Sequence, residues 1–166
     1  MRAIATALAV SALWTMQACA QPAPPQNAVT FMAQNALAAG VQTLPSGVQY
    51  KVLKSGPADG QRPTPEDLVK VNYEGALVNG QIFDSSYKTG KPVTFQLKNL
   101  IRGWIAALQL MRPGDEWILY VPPSLGYGDE QSGPIPPNSV LVFRLELLAV
   151  GAQAGPASLA WPCWTA

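Results

Sequence analysis

Tyr73, Phe83, Asp84, Trp104, Tyr127 and Phe143 follow one another through the middle of the chain, and they are the side chains with the most to offer chemistry. They belong to the pieces VKVNYEG (69–75), GQIFDSS (80–86), LIRGW (100–104), VPPSLGYG (121–128) and IPPNSVLVFRLELL (135–148). Brought together, their rings would form an aromatic box holding one carboxylate, that of Asp84. The chain has no histidine, and its two cysteines, Cys19 and Cys163, lie outside these pieces. Such a box is apolar, without metal ligands and without an activated nucleophile. Ser85 and Ser86 have no histidine to take a proton, so a Ser-His-Asp mechanism is excluded by composition. A lone carboxylate with no partner acid or base does not make a hydrolase. What remains is non-covalent chemistry, in which a dry pocket acts on a bound group through shape and a few aimed polar groups.

Strands must carry most of these residues. Val48, Tyr50 and Val52 alternate with Gln49, Lys51 and Leu53, a strand pattern over 47–53. Further strands are predicted at 68–74, 81–83, 93–96, 116–121 and 140–150, each bounded by Gly, Pro, Asn or Asp. In the last, Leu141, Phe143, Leu145, Leu147 and Ala149 form one face and Val140, Val142, Arg144 and Glu146 the other. That alternation suits a strand half buried on an antiparallel sheet. One amphipathic helix is expected at 100–111, with Ile101, Trp104, Leu108 and Met111 at helical spacing and Arg112-Pro113-Gly114 ending it. A second, short helix is predicted at 29–39, containing Phe31, Met32, Leu37 and Ala38 and stopped by Gly40. Residues 56–65 read as a loop rich in proline and glycine. The fold class is α+β: a five- to six-stranded antiparallel sheet wrapped around one short amphipathic helix that closes its concave face.

In order and spacing, the pieces resemble the FKBP-type peptidyl-prolyl cis/trans isomerases over about residues 45–150, and the resemblance implies an FKBP-like fold. PSGVQYKVLKSG (45–56), behind a short helix, is further similar to the bacterial exported branch related to macrophage infectivity potentiators. The implied activity is rotation about X-Pro bonds. Such a bond prefers trans by only about 0.5–1 kcal/mol, yet twisting it breaks amide resonance and crosses ~18–20 kcal/mol. A catalyst need only bind the twisted amide better than either planar form. The resemblance implies Trp104 as the floor beneath the proline ring, with Tyr73, Phe83 and Phe143 as side walls and Leu100 and Ile101 completing the enclosure. It implies the Ile101 backbone N–H and the Tyr127 hydroxyl as hydrogen-bond donors to ligand carbonyls. Asp84 matches the pocket carboxylate that acts electrostatically near the reacting carbonyl; read from its neighbours alone, FDSS is a turn after a strand. Three positions depart from the pattern. Thr89 stands where many members have an arginine able to pair with that carboxylate. Val93 stands where some have another wall phenylalanine, and Asn72 replaces a histidine seen in some relatives.

The ends carry different signals. Residues 1–20 combine Arg2, an apolar Ala/Leu/Val run and small residues at Ala18 and Ala20, the layout of a secretory signal cleaved after Ala20. The alternative makes Cys19 a lipidated first residue and the protein an envelope-anchored one. Residues 21–44 read as a proline-rich spacer and the short helix, 45–150 as the isomerase domain, and 151–166 as a disordered tail containing the odd thiol of Cys163. Loss of residues 1–20 takes away Arg2 and leaves the charges balanced, so nothing steers the chain toward nucleic acid or an acidic membrane. No cofactor is expected. The stretch 21–44 is short beside that branch's long dimerising helices, which predicts a monomer. The expected partners are proline-containing unfolded or partly folded proteins outside the cytoplasm, in the periplasm, and macrolide inhibitors; membrane association is expected only through lipid at Cys19. A rival of another class shares the fold: a non-catalytic chaperone or peptide-binding module.

Overall fold

A computed structural model of the protein describes residues 27–151. The expectations that fall on 1–26 and 152–166 (the secretory signal, Cys19, most of the proline-rich spacer, Cys163 and the tail) lie outside the described residues. The elements in chain order are α1 (Ala28–Asn35), β1 (Val41–Thr43), β2 (Gln49–Lys54), β3 (Leu68–Leu77), β4 (Ile82–Ser85), β5 (Val93–Gln96), α2 (Arg102–Leu108), β6 (Glu116–Val121) and β7 (Leu141–Gly151). A turn of 3-10 helix at Leu97–Asn99 leads into α2. The strands form one antiparallel, seven-stranded sheet in the order β1-β2-β6-β7-β3-β4, with β5 also on β3. β5 pairs with Leu68 to Val71, and β4 pairs further along with Glu74 to Ala76, so two short strands share one edge of β3.

Alternation decides what is buried. Val69 and Val71 on β3, Leu119 and Val121 on β6, and Leu145 and Leu147 on β7 are wholly excluded from solvent, as are Ala107 and Leu108 of α2 and Met111 beyond it. They belong to a single apolar cluster between the sheet's concave face and α2. Burying a side chain of this size contributes roughly 1.5–3 kcal/mol, which is what holds the helix in the sheet. The short helix α1 does different work. Phe31 meets Tyr120, whose β6 neighbours Leu119 and Val121 point the other way into the core. α1 therefore covers the outer face of β2 and β6.

The sequence reading departs from this structure at several points. β1 adds a strand beyond the five or six expected, because the three residues after the positive-φ Gly40, to which no element was assigned, pair with β2. α1 stops at Asn35, and Leu37 is 89 % exposed. α2 is shorter than 100–111: Leu100 and Ile101 are extended, and Leu110 and Met111 close with i→i+3 turns. Gln49, assigned by alternation to a polar face, is 4 % exposed because α1 covers it. Its amide donates to Met32 C=O (2.8 Å) and accepts from Asn35 Nδ2 (2.8 Å). In β7 the inward face runs from Leu141 to Leu147 and then changes. The register slips opposite Lys70 and Val71, so Ala149 is exposed and Val150 packs against the core. A bulge of this kind inserts one residue and reverses every later side chain.

Candidate active site

The floor of the site is set by a glycine beside a tryptophan. Gly103 faces β6 so closely that a Cβ there would lie 2.5 Å from Val121 Cγ1, so only glycine lets α2 sit this deep. Trp104, next in the chain, is 4 % exposed, with Tyr73, Phe95 and Phe143 around it at ring-centroid distances of 5.3, 6.2 and 5.2 Å, all edge-to-face. This is the preferred geometry of aromatic pairs. Trp104 Nε1 is buried without a conventional partner among the described residues; ring faces around it can accept an N–H weakly.

The walls depend on a second close approach. Gly75 of β3 stands opposite Phe143 on one side and Asp84 on the other. A Cβ at Gly75 would fall 2.6 Å from Phe83 Cε2 and 2.8 Å from Phe143 Cε1, so its absence lets the two rings meet edge-to-face at 5.7 Å. The result is an open cavity of about 350 Å³. Tyr73, Phe83, Asp84, Leu100, Ile101, Trp104, Tyr127 and Phe143, the site residues nominated from sequence, all line it.

Phe95 and Asn99 line it too and were missed. Phe95 carried a usable signal: it lies two residues beyond Val93 and pairs with buried Val69, which sends its ring inward. The thinning of the wall expected from Val93 is thus offset by Phe95, 6.0 Å from Tyr73. Gly75 and Gly103 were also unassigned, since a close approach between elements leaves no local pattern.

Polar groups sit at the rim. Tyr73 Oη donates to Asp84 Oδ2 at 2.6 Å. Burial, reinforced by the hydrogen bond to that carboxylate and by its charge, pushes the Tyr73 phenol well above the ordinary tyrosine range. Tyr73 therefore stays a neutral donor at any physiological pH. Thr89, in the arginine position, bonds elsewhere: its Oγ1 donates to Ser86 C=O at 2.9 Å. Asp84 thus has a tyrosine hydroxyl as its partner. Asn72 donates to Glu146 (3.0 Å), away from the cavity lining. Tyr127 is 42 % exposed, and its hydroxyl makes no hydrogen bond among the described residues. Ile101 occupies the N-cap of α2, where backbone N–H groups have no acceptor within the helix. The cavity can therefore enclose a small apolar ring, offer two donors to carbonyl oxygens, and hold one anchored carboxylate beside them.

Comparison with known proteins agrees with this geometry. Residues 60–148 match the family described as FKBP-type peptidyl-prolyl cis-trans isomerase, and residues 4–52 match the domain amino-terminal to such isomerases. The chain is 52 % identical over 121 residues to the peptidyl-prolyl cis-trans isomerase Mip of Coxiella burnetii, covering 72 % of this chain and 52 % of that protein. It is 45 % identical over 125 residues to the outer membrane protein MIP of Legionella longbeachae, covering 75 % and 53 %. The chain thus spans about half the length of these relatives. Among solved structures, Escherichia coli FkpA superposes with a TM-score of 0.71 at 39 % identity, covering 75 % of this chain and 58 % of that one. A peptidyl-prolyl cis-trans isomerase from Pseudomonas syringae pv. tomato gives 0.69 at 39 % identity, covering 75 % and 90 %.

Proposed function

The chain belongs to the FKBP-type peptidyl-prolyl cis-trans isomerase family, and from that premise we propose that it accelerates X-Pro rotation in unfolded or partly folded proteins. The observation that carries this reading is the aromatic cavity with Tyr73–Asp84 at its rim. Phe83, Trp104 and Phe143 enclose the pyrrolidine ring and exclude water from the adjoining amide. A planar amide owes part of its stability to charge separation, which water favours; the twisted amide has lost that resonance. A dry enclosure therefore favours the twisted form relative to the planar one. Tyr127 Oη and the Ile101 N–H hold the flanking carbonyls, so that rotation is confined to the one bond. The Asp84 carboxylate, kept in place by Tyr73, disfavours the more negative carbonyl oxygen of the planar state. Each tenfold acceleration needs only about 1.4 kcal/mol of such differential binding.

The same reading includes macrolides as competitive occupants of the cavity. It divides the chain into a secretory segment (1–20), a spacer and helix (21–44), the isomerase domain (45–150) and a tail (151–166). The leader-like composition of residues 1–20 and the envelope location in one relative's name support export to the periplasm, with lipid anchoring at Cys19 as the alternative. No helix among the described residues is long and apolar enough to cross a membrane.

The test is a protease-free assay of X-Pro peptide isomerisation, with and without a macrolide. Acceleration abolished by the macrolide is expected. Binding of proline peptides without acceleration would instead identify a non-catalytic peptide-binding module.

A further inference from the structure

Resting on that reading, we propose that Ser86 is a positioning residue that holds the Tyr73–Asp84 pair through the backbone of Tyr73. β3 passes from one edge partner to another: its ladder with β5 ends at Val71, and its ladder with β4 begins at Glu74. Tyr73 falls in the gap. Its N–H donates to Ser86 Oγ at 2.9 Å, and its C=O accepts from the Ser86 N–H at 2.9 Å and from the Ser86 hydroxyl at 3.3 Å. One serine thus serves both backbone groups that a strand would otherwise pair.

Ser86 is 3 % exposed, so bulk water has little access to replace the hydroxyl. The segment that carries it is closed behind by Thr89, whose N–H and Oγ1 both reach Ser86 C=O (3.2 and 2.9 Å). Asp84 lies two residues before Ser86, and Tyr73 Oη reaches it at 2.6 Å. Tyr73 is therefore tied to one short segment twice, by its backbone at Ser86 and by its hydroxyl at Asp84. Without the serine oxygen the Tyr73 N–H loses its acceptor in a buried place, and the strand must shift to find another. The hydroxyl and the carboxylate would then no longer meet in the same place at the cavity rim.

The test uses the full chain, with turnover measured on an X-Pro peptide per folded molecule. Ser86→Ala is expected to lower kcat about tenfold with KM changed less than about twofold, as misplacement of a reacting-site group does. In a Tyr73→Phe background, which keeps the ring and removes the hydroxyl, Ser86→Ala should lower Tm as before but leave kcat where Tyr73→Phe alone puts it. An equal fractional loss of kcat in both backgrounds, or no loss in either, overturns the proposal. Thr89→Ala at an exposed position gives a second route should Ser86→Ala not fold: a smaller kcat loss, again absent with Tyr73→Phe, supports the tie, and its persistence there overturns it. A wild-type chain without isomerase activity would defeat the proposed function alone. The tie would then be read by NMR from the Tyr73 ring resonances at neutral pH, which should shift in Ser86→Ala or Thr89→Ala as the hydroxyl leaves Asp84; unmoved resonances overturn the proposal.

Discussion

Asp84 illustrates how one residue carries a structural and an electrostatic role that can be separated. Asparagine keeps an oxygen able to accept the Tyr73 hydroxyl but removes the charge. Asp84→Asn should therefore leave Tm near that of wild type and lower turnover about tenfold, a change worth about 1.4 kcal/mol of barrier. Unchanged turnover would leave aromatic enclosure as the source of catalysis. Tyr73 gives a pH dependence of definite sign. Burial and the Asp84 carboxylate raise its phenol, so the folded protein retains a proton that the unfolded chain releases near pH 10. Its contribution to stability is complete below that pH and declines as pH rises through the tyrosine range, because the unfolded state binds fewer protons there. Tyr73→Phe should flatten the alkaline fall in Tm without abolishing it, since burial raises Tyr120, and burial with nearby carboxylates raises Tyr87, in the same direction.

At the scale of elements, what was legible followed from local pattern and what was not came from neighbours. The inward face of β7 reads directly from Leu141 to Leu147, and Trp104 falls on the buried side of α2 as its spacing implies. The slip after Leu147 depends on the partner strand, so alternation within β7 could not reveal that Ala149 turns outward. Gln49 is the clearest case. It is polar and alternates with apolar residues, yet a helix contributed from elsewhere in the chain buries it and takes both ends of its amide. The site divides in the same way: rings in recognisable motifs were nominated, while Gly75 and Ser86, whose roles exist only once strands are paired, were not. Gln49→Ala should lower stability by about 1–3 kcal/mol, the cost of a buried hydrogen-bonded group, measured by urea denaturation. Turnover per folded molecule should not change, because α1 and the cavity lie on opposite faces of the sheet. A parallel loss of turnover would show the two layers to be coupled.

Across the whole molecule, the cavity is continuous with the core that stabilises the fold. Trp104 and Phe143 belong to the buried cluster, and Tyr73, Phe83, Phe95, Leu100 and Ile101 pack directly against it. A ligand seated among these rings exists only on the folded chain, so its binding free energy adds to global stability. At a hundredfold excess over Kd that gain is about 2.7 kcal/mol. A macrolide in the cavity should therefore raise Tm in a dose-dependent way. The outer layer contributes differently: α1 adds the Phe31–Tyr120 contact and the Gln49 hydrogen bonds on a face the ligand does not touch. A chain beginning at residue 36 should melt at lower temperature, because Tyr120 and Gln49 become exposed. It should nevertheless show the same increment on saturation with macrolide, since every lining residue lies in the retained portion. Thermal melts of both forms across a ligand series measure the two effects independently. Equal increments from unequal starting points would establish that α1 stabilises the sheet without shaping the cavity; a smaller increment in the shortened chain would mean that the outer helix holds the aromatic walls in register.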